Sequence, residues 1–387
     1  MLTLPARTVY IDPQVQRHPN CRRRLERVMP HIQCDDVREL TGDAMKDVYA
    51  IGKRRHGKDD FGDADALVFT TFDQRKQGWY YNYRDEAGAH GGVCQPGMQV
   101  NLIDGCMFRC AYCGFGRYIV FHLDVERLID GLDAVFAEHP AQRLYKFSNM
   151  TDLPPFEPEL DVVPPMVERF AREADRYLML FTKSDNVDFL RDIDHRGRTI
   201  ISWSITCGTA SRQVDKRAAT MDERIDAMAR MRDVGYLVRA RLSPIVPVIN
   251  WREEYTELFE RMFERVRPDM VTMELLGWMT VDDLLAIFDR WLLDSDALAA
   301  AEAARDELAG VRWGPFTQQT HDEIYQFCID TVHRLSPNTP ISVCHGTAAT
   351  WKSLGASMDM TPDSYLCNCG PMSAPGDALY DKWHRCV

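Results

Sequence analysis

The sequence predicts an α/β fold built from parallel βα units, on three observations. From Met98 onward short β-rich runs alternate with helical patterns, and the helical stretches have the length a crossover between parallel strands needs. No apolar run reaches the roughly 18 to 20 residues that span a bilayer. Six strands with five intervening helices are therefore expected, closed as a barrel or left as an open sheet.

The elements follow in order. "MQVNLI" (98–103) is the first strand, and after a cysteine-rich segment "DVERLIDGLDAVFAEH" (124–139) is the first helical stretch. "RLYKFSN" (143–149) and "RYLMLFT" (176–182) are strands that flank the helical "LDVVPPMVERFAREAD" (160–175). "SDNVDFLRDIDHRG" (184–197) is read as the next helix and "RTIISWSIT" (198–206) as the fourth strand. "TMDERIDAMARMRDVG" (220–235) carries its own stop in Gly235, because glycine accepts the left-handed backbone that ends a helix. "YLVRARLSPI" (236–245), the helix "NWREEYTELFERMFERV" (250–266) and "DMVTMELL" (269–276) complete the set. Most of the helical stretches place apolar residues at i, i+3, i+4 and i+7, and the strands are rich in β-branched and aromatic residues. Methionines and aromatics in these helices are core stripes.

Around this body, 96–336, two extensions are expected. Residues 1–95 are polar and irregular, with the charged runs "RRRLERV" and "GKRRHGKDDFGDAD", and pack on the body. Acidic residues interrupt these runs and no aromatic residues interleave, so they read as solvated helix faces and loops. Residues 337–387 form a cysteine-rich C-terminal extension: "PNTPISVCHGTAATWKSLG" has the pattern of one further strand and helix, and "YLCNCGPMSAPGD" is turn-rich.

Charge and cysteine usage bound the function. A formal charge of -12 with a pI near 5.4 argues against a non-specific grip on a phosphate backbone, which needs lysine and arginine to neutralise phosphates. The first 20 residues carry Arg, Asp and Pro where a secretion signal has its apolar stretch, so the chain is expected to be cytoplasmic with no membrane partner. Twelve cysteines in a reducing compartment are ligands, reactive groups or small buried hydrophobes rather than disulfides. Cys21, Cys34, Cys94 and Cys328 stand alone and read as structural.

Cys106, Cys110 and Cys113 do not stand alone. They lie in "DGCMFRCAYCGFG", directly after the first strand, and Gly105, Gly114 and Gly116 point to a loop that wraps around something. Tetrahedral zinc takes four ligands in two pairs, and no second pair lies close by in sequence. Three thiolates suit a cubane iron–sulfur cluster with one iron left open to a cosubstrate. Three unliganded thiols in a turn is the remaining alternative.

The CxxxCxxC motif with Tyr112, after the first strand of a βα series, resembles the radical S-adenosylmethionine (SAM) superfamily. The resemblance implies a partial (β/α)6 TIM-type barrel, a [4Fe–4S] cluster on Cys106, Cys110 and Cys113, and SAM chelated through its amino and carboxylate groups. It further implies reductive cleavage to a 5′-deoxyadenosyl radical, with the electron supplied by a reductant such as flavodoxin or ferredoxin. Within that superfamily the chain resembles the spore photoproduct lyase family, through "TVYIDPQVQRHP", "FTKSDNVDFLRDIDHRGRT", "SWSIT", "GYLVRARLSPIVPVINWREEYTELF", "VTMELL" and "VRWG". Carried over, Tyr112, Thr151, Lys183 and Ser204 contact SAM; a lysine at a strand end facing a carboxylate forms a charge-assisted hydrogen bond.

Departures from the family pattern set a different expectation for the substrate. Asn149 and Gly114 stand where the family has its hydrogen-donor cysteine and its relay tyrosine, and "PFTQQT" (315–320) replaces a basic, aromatic segment. With the acidic charge, these changes lead to the expectation of hydrogen abstraction from a small polar molecule such as a nucleoside, nucleotide or amino acid, with duplex DNA unlikely. Photoproduct-lyase repair of DNA is the alternative, and a non-catalytic iron–sulfur or zinc protein a third. Cys207, after "SIT" at the end of the fourth strand, is a candidate hydrogen donor or ligand on the face where barrel sites assemble. Cys344, Cys367, Cys369 and Cys386 have the count of an auxiliary iron–sulfur cluster or a zinc site, with His345 and His384 beside them.

Overall fold

The computed structural model describes residues 2–51, 64–71, 80–82, 93–95, 97–148, 150–311 and 314–384. Asn149, Cys386, part of the "VRWG" stretch and most of the "GKRRHGKDDFGDAD" run lie outside the described residues. The chain divides into two compact units, residues 1–81 with 98–199, and residues 82–97 with 200–387.

In the first unit the N-terminal segment is not irregular. It contributes strands β1 (Leu4–Ile11), β2 (Ile32–Gln33), β3 (Val37–Glu39) and β4 (Ala64–Thr70), and β5 (Tyr80–Asn82) follows. After β6 (Gly97–Val100) come β7 (Ile103–Asp104) and β8 (Tyr118–His122). Strands β1–β4, β7 and β8 form a sheet in the order β2-β1-β4-β8-β7, with β3 also on β1, parallel throughout except for the β7–β8 pair. Charged loops between the strands mask them in a composition reading, whereas β1 itself buries Leu4, Ala6 and Val9. "RRRLERV" is likewise only partly a solvated face. Arg24, on the helix Pro19–Val28, is fully buried and donates to both Glu126 carboxylate oxygens at 2.7 and 2.8 Å and to the Leu123 and Asp161 carbonyls at 3.0 Å each. A guanidinium can be buried this way because each of its three nitrogens meets an acceptor.

Strands β9 (Leu144–Phe147) and β10 (Tyr177–Thr182) run parallel to β6 in the order β10-β9-β6. The helix between them, Val163–Phe170, starts with prolines at its first turn and takes three backbone N–H bonds, from Asp161, Val162 and Val163, onto the Glu157 carboxylate at 2.8 to 2.9 Å. One expected element is missing. "SDNVDFLRDIDHRG" forms only a single 3-10 turn, Asp188–Leu190. Ser184 and Asn186 bond the local backbone instead: Ser184 Oγ accepts from Asn186 N at 3.0 Å, and Asn186 Nδ2 donates to the Pro154 and Glu157 carbonyls at 2.7 Å each. Short polar side chains compete with helix hydrogen bonds in this way.

The second unit holds β11 (Thr199–Ile205), β12 (Leu237–Ile245), β13 (Val271–Leu275) and β14 (Ile341–Val343), all parallel, in the order β14-β13-β12-β11. The six expected strands are thus present as β6 and β9–β13, and the extra strand and helix read in the tail are β14 and Ala348–Leu354. The helices Met221–Asp233 and Trp251–Arg265 occupy the stretches assigned to them; Thr220 and Glu223 cap the first reciprocally and Gly235 follows it at φ 93°. A buried pair ties this packing to the sheet: Arg224 donates to Asp215 Oδ2 from two nitrogens at 3.1 Å and to the Ser204 carbonyl at 3.0 Å.

Candidate functional site

In the first unit the three-cysteine loop begins where β7 ends. Gly105 turns at φ 111°, and a side chain there would run into the Tyr118 carbonyl, so only glycine lets the loop pass so close to β8. Arg109 at φ 49° and Gly116 at φ 109° bend it twice more, and Cys113 N donates to Cys110 O at 2.8 Å. Cys110 is buried, while Cys106 and Cys113 are half-buried. Burial pushes the Cys106 thiol well above its ordinary value, and the neighbouring Asp152 and Cys113 add to the shift while Lys183 opposes it. Cys113, Asp152 and Lys183 are therefore electrostatic neighbours of Cys106.

Lys183 follows directly on β10. Its Nζ donates to Tyr112 Oη at 2.5 Å and lies 5.2 Å from the centre of the same ring. Asp152 fixes this strand end, accepting from Thr182 Oγ1 at 2.7 Å and from Lys183 N at 2.5 Å. Beside it, the Thr151 hydroxyl oxygen is buried with no hydrogen-bond partner among the described residues. A buried hydroxyl left open costs free energy unless something fills its bond. The structure thus gathers three thiols, an ammonium group, a phenol and an open hydroxyl, the donor set that a cubane cluster and a zwitterionic amino-acid cosubstrate require.

Ser204 and Cys207 lie in the second unit. Ser204 is on β11, buried, opposite Arg241 in the register with β12. Cys207 caps the helix Gly208–Gln213 and is fully enclosed, its thiol pushed up to about 12, mainly by burial and further by Glu254.

The C-terminal cysteines gather in the same unit, with a partner sequence reasoning missed. Cys367 and Cys369 have their sulfurs 3.9 Å apart. Cys344, at the end of β14, lies 3.4 Å from His345 Nδ1, and that nitrogen is 3.2 Å from Glu274 Oε1. His345 is also in hydrogen-bond reach of Cys94, one of the thiols read as structural. Cys94 is brought in by its neighbours: Val93 N donates to Gly346 O at 2.8 Å and Gln95 Nε2 to Tyr365 O at 2.6 Å. No spacing signal could have found it, because Cys94 and Cys344 lie 250 positions apart and only the fold brings their segments together.

His384 is not part of this group. Both of its ring nitrogens are taken up by main-chain carbonyls, those of Tyr380 at 2.7 Å and Asp269 at 2.8 Å.

Comparison with known proteins bears on the first of these two sites. Residues 96–281 match the family model "Spore photoproduct lyase". Over just under half of its length the chain is thus similar to the spore photoproduct lyases of the radical SAM superfamily. The spore photoproduct lyase of Bacillus subtilis (strain 168) is 27% identical over 182 residues, 44% of this chain and 53% of that one. The lyase of Clostridium acetobutylicum is 19% identical over 256 residues, 62% of this chain and 75% of that one. The match to the Bacillus protein thus spans about half that relative's length. Among solved structures, a spore photoproduct lyase complexed with dinucleoside spore photoproduct is similar with a TM-score of 0.64 at 17% identity, covering 87% of this chain and 98% of that one. A double mutant with bound AdoMet and dinucleoside spore photoproduct gives 0.65, with 89% and 99% covered. At that identity the likeness is one of fold, the partial (β/α) barrel that the sequence led us to expect.

Proposed function

We propose that this chain is a radical SAM enzyme of the photoproduct-lyase type, acting on a dinucleotide lesion of DNA. The observation that carries the reading is the gathering of Cys106, Cys113, Asp152, Lys183 and Tyr112 at one strand end of a lyase-like fold. A [4Fe–4S] cluster with bound SAM would supply the reductive cleavage that starts the reaction. Cys106, Cys110 and Cys113 would hold the cluster. Lys183 would meet the SAM carboxylate, held in place by Tyr112 and by the grip of Asp152 on its backbone, and Thr151 would donate or accept at its open hydroxyl. Ser204 is assigned to the ribose side by the family resemblance. A one-electron donor such as flavodoxin or ferredoxin completes the set of partners.

This reading replaces the expectation of a small polar substrate, in which duplex DNA is unlikely, with the alternative of photoproduct-lyase repair. The relatives and solved neighbours are photoproduct lyases, and two of those structures hold the dinucleoside lesion. The replacements at Gly114 and Asn149 bear on how hydrogen is returned, not on what is bound. The charge of -12 is a sum over the whole chain and does not describe a single groove. Among the described residues no helix is long and apolar enough to cross a membrane.

The test is an anaerobic turnover of the reduced, cluster-loaded chain with SAM and dinucleoside spore photoproduct. Repaired thymidine product together with 5′-deoxyadenosine is expected, and Cys110→Ala abolishes both. If 5′-deoxyadenosine forms and the lesion persists, the substrate assignment fails; if neither forms, the enzyme assignment fails too.

A further inference from the structure

Four thiols from three remote segments meet in the second unit. Cys344 follows β14, Cys367 and Cys369 lie on the loop after residue 365, and Cys94 precedes β6. The Cys367 and Cys369 sulfurs are 3.9 Å apart, and the bonds of Val93 N to Gly346 O and of Gln95 Nε2 to Tyr365 O hold the Cys94 segment against those that carry Cys344 and Cys367. Cys344 is 9% and Cys367 3% exposed.

Their surroundings are those of a ligand site rather than a packed core. The Tyr365 hydroxyl, on a side chain 2% exposed, is buried without a hydrogen-bond partner among the described residues, and the same four thiols are its electrostatic neighbours. Trp351, 3% exposed and packed on Tyr365 with ring centres 4.8 Å apart, has its indole N–H buried and unpartnered as well. Two buried donors without acceptors point to acceptors that a bound group would bring, and hydrogen bonds to sulfur are a usual part of cluster sites. Arg241 lies 3.9 Å from Cys344 Sγ, a cation placed to offset thiolate charge. A small cleft lined by Glu274, Cys344 and His345 opens beside this group.

One pair, Cys367 and Cys369, stands 3.9 Å apart, the edge of a single-ion site, but the four thiols as a set are more widely spread. Around one tetrahedral zinc, thiolates stand roughly 3.8 Å apart on every edge, from Zn–S bonds of about 2.3 Å. Among the described residues the three ligand atoms that close to within 4.8 Å of one another belong to Glu274, Cys344 and His345, and no trio of these thiols does so. The cysteines of the first loop are spread in the same way.

We propose that Cys94, Cys344, Cys367 and Cys369 ligate a second iron–sulfur cluster. The site needs neither SAM nor a DNA lesion, so it stands or falls apart from the proposed function.

The test counts iron, sulfide and zinc in the full chain after anaerobic reconstitution. In a C106A/C110A/C113A variant, iron and sulfide remain in equal amounts with a cluster absorption band. Adding Cys94→Ser or Cys369→Ser to that variant lowers its iron at least fivefold with the circular dichroism spectrum unchanged, whereas adding Cys386→Ser or Cys34→Ser leaves it. Absence of iron from the triple variant with a native circular dichroism spectrum overturns the proposal, as does zinc in place of iron. Iron that survives Cys94→Ser, or is lost with Cys386→Ser, overturns the ligand set.

Discussion

Arg239 is the buried residue on which the geometry of the C-terminal cysteine loop depends. Its side chain is fully buried on β12 and donates from Nη1 to the Asn368 carbonyl at 2.7 Å, from Nη2 to the Ser373 carbonyl, and from Nε to Asp269 Oδ2 at 3.2 Å. Arg239→Met keeps much of the stem and deletes all three donors. Asp269 retains the Tyr380 hydroxyl at 3.0 Å, so the main loss falls on the two carbonyls either side of Cys369. Each buried carbonyl left open costs about 1–3 kcal/mol, and breaking a buried ion pair costs about 3–5 kcal/mol, so a local loss of about 3–5 kcal/mol is expected. At 1.36 kcal/mol per factor of ten, a loss of about 3 kcal/mol speeds amide exchange in the loop roughly 150-fold. Hydrogen exchange followed by mass spectrometry on peptides covering 365–375 reads this directly. A change of less than about fivefold there would refute the claim that Arg239 holds the loop.

Three further outcomes are expected. Lys183→Met removes a charge-assisted hydrogen bond worth about 1.5–3 kcal/mol, so SAM binds the reconstituted chain roughly 10- to 150-fold more weakly in a titration; an unchanged Kd contradicts the role given to Lys183. Gly370→Ala places a Cβ on top of the Gln95 side chain, so it displaces the segment carrying Cys94 and lowers iron in the C106A/C110A/C113A background; retained iron argues against that coupling. Asp215→Ala strands the buried Arg224, at a cost of about 3–5 kcal/mol in denaturant titration of the second unit, and a cost below about 1 kcal/mol contradicts the pairing.

What the sequence determined by itself is local. Strand and helix periods from Met98 onward, the Thr220–Glu223 cap and the stop at Gly235 arise from residues within a few positions of one another, and so does the cysteine triplet with its glycines. Such signals survive without knowledge of the fold because the interactions behind them span one turn or one loop. Where short polar side chains compete for the backbone, as at Ser184 and Asn186, even a local pattern misleads, and the expected helix becomes a single turn.

Tertiary structure alone decided the rest. Lys183 meets Tyr112 across 71 positions, Arg24 is buried by Glu126 across 102, and Arg239 reaches Asn368 across 129. Cys94 reads as an isolated small hydrophobe until Val93 bonds Gly346 and Gln95 bonds Tyr365. A buried charge or thiol takes its meaning from the groups that replace its water, and those groups are chosen by packing, which no short window of sequence contains.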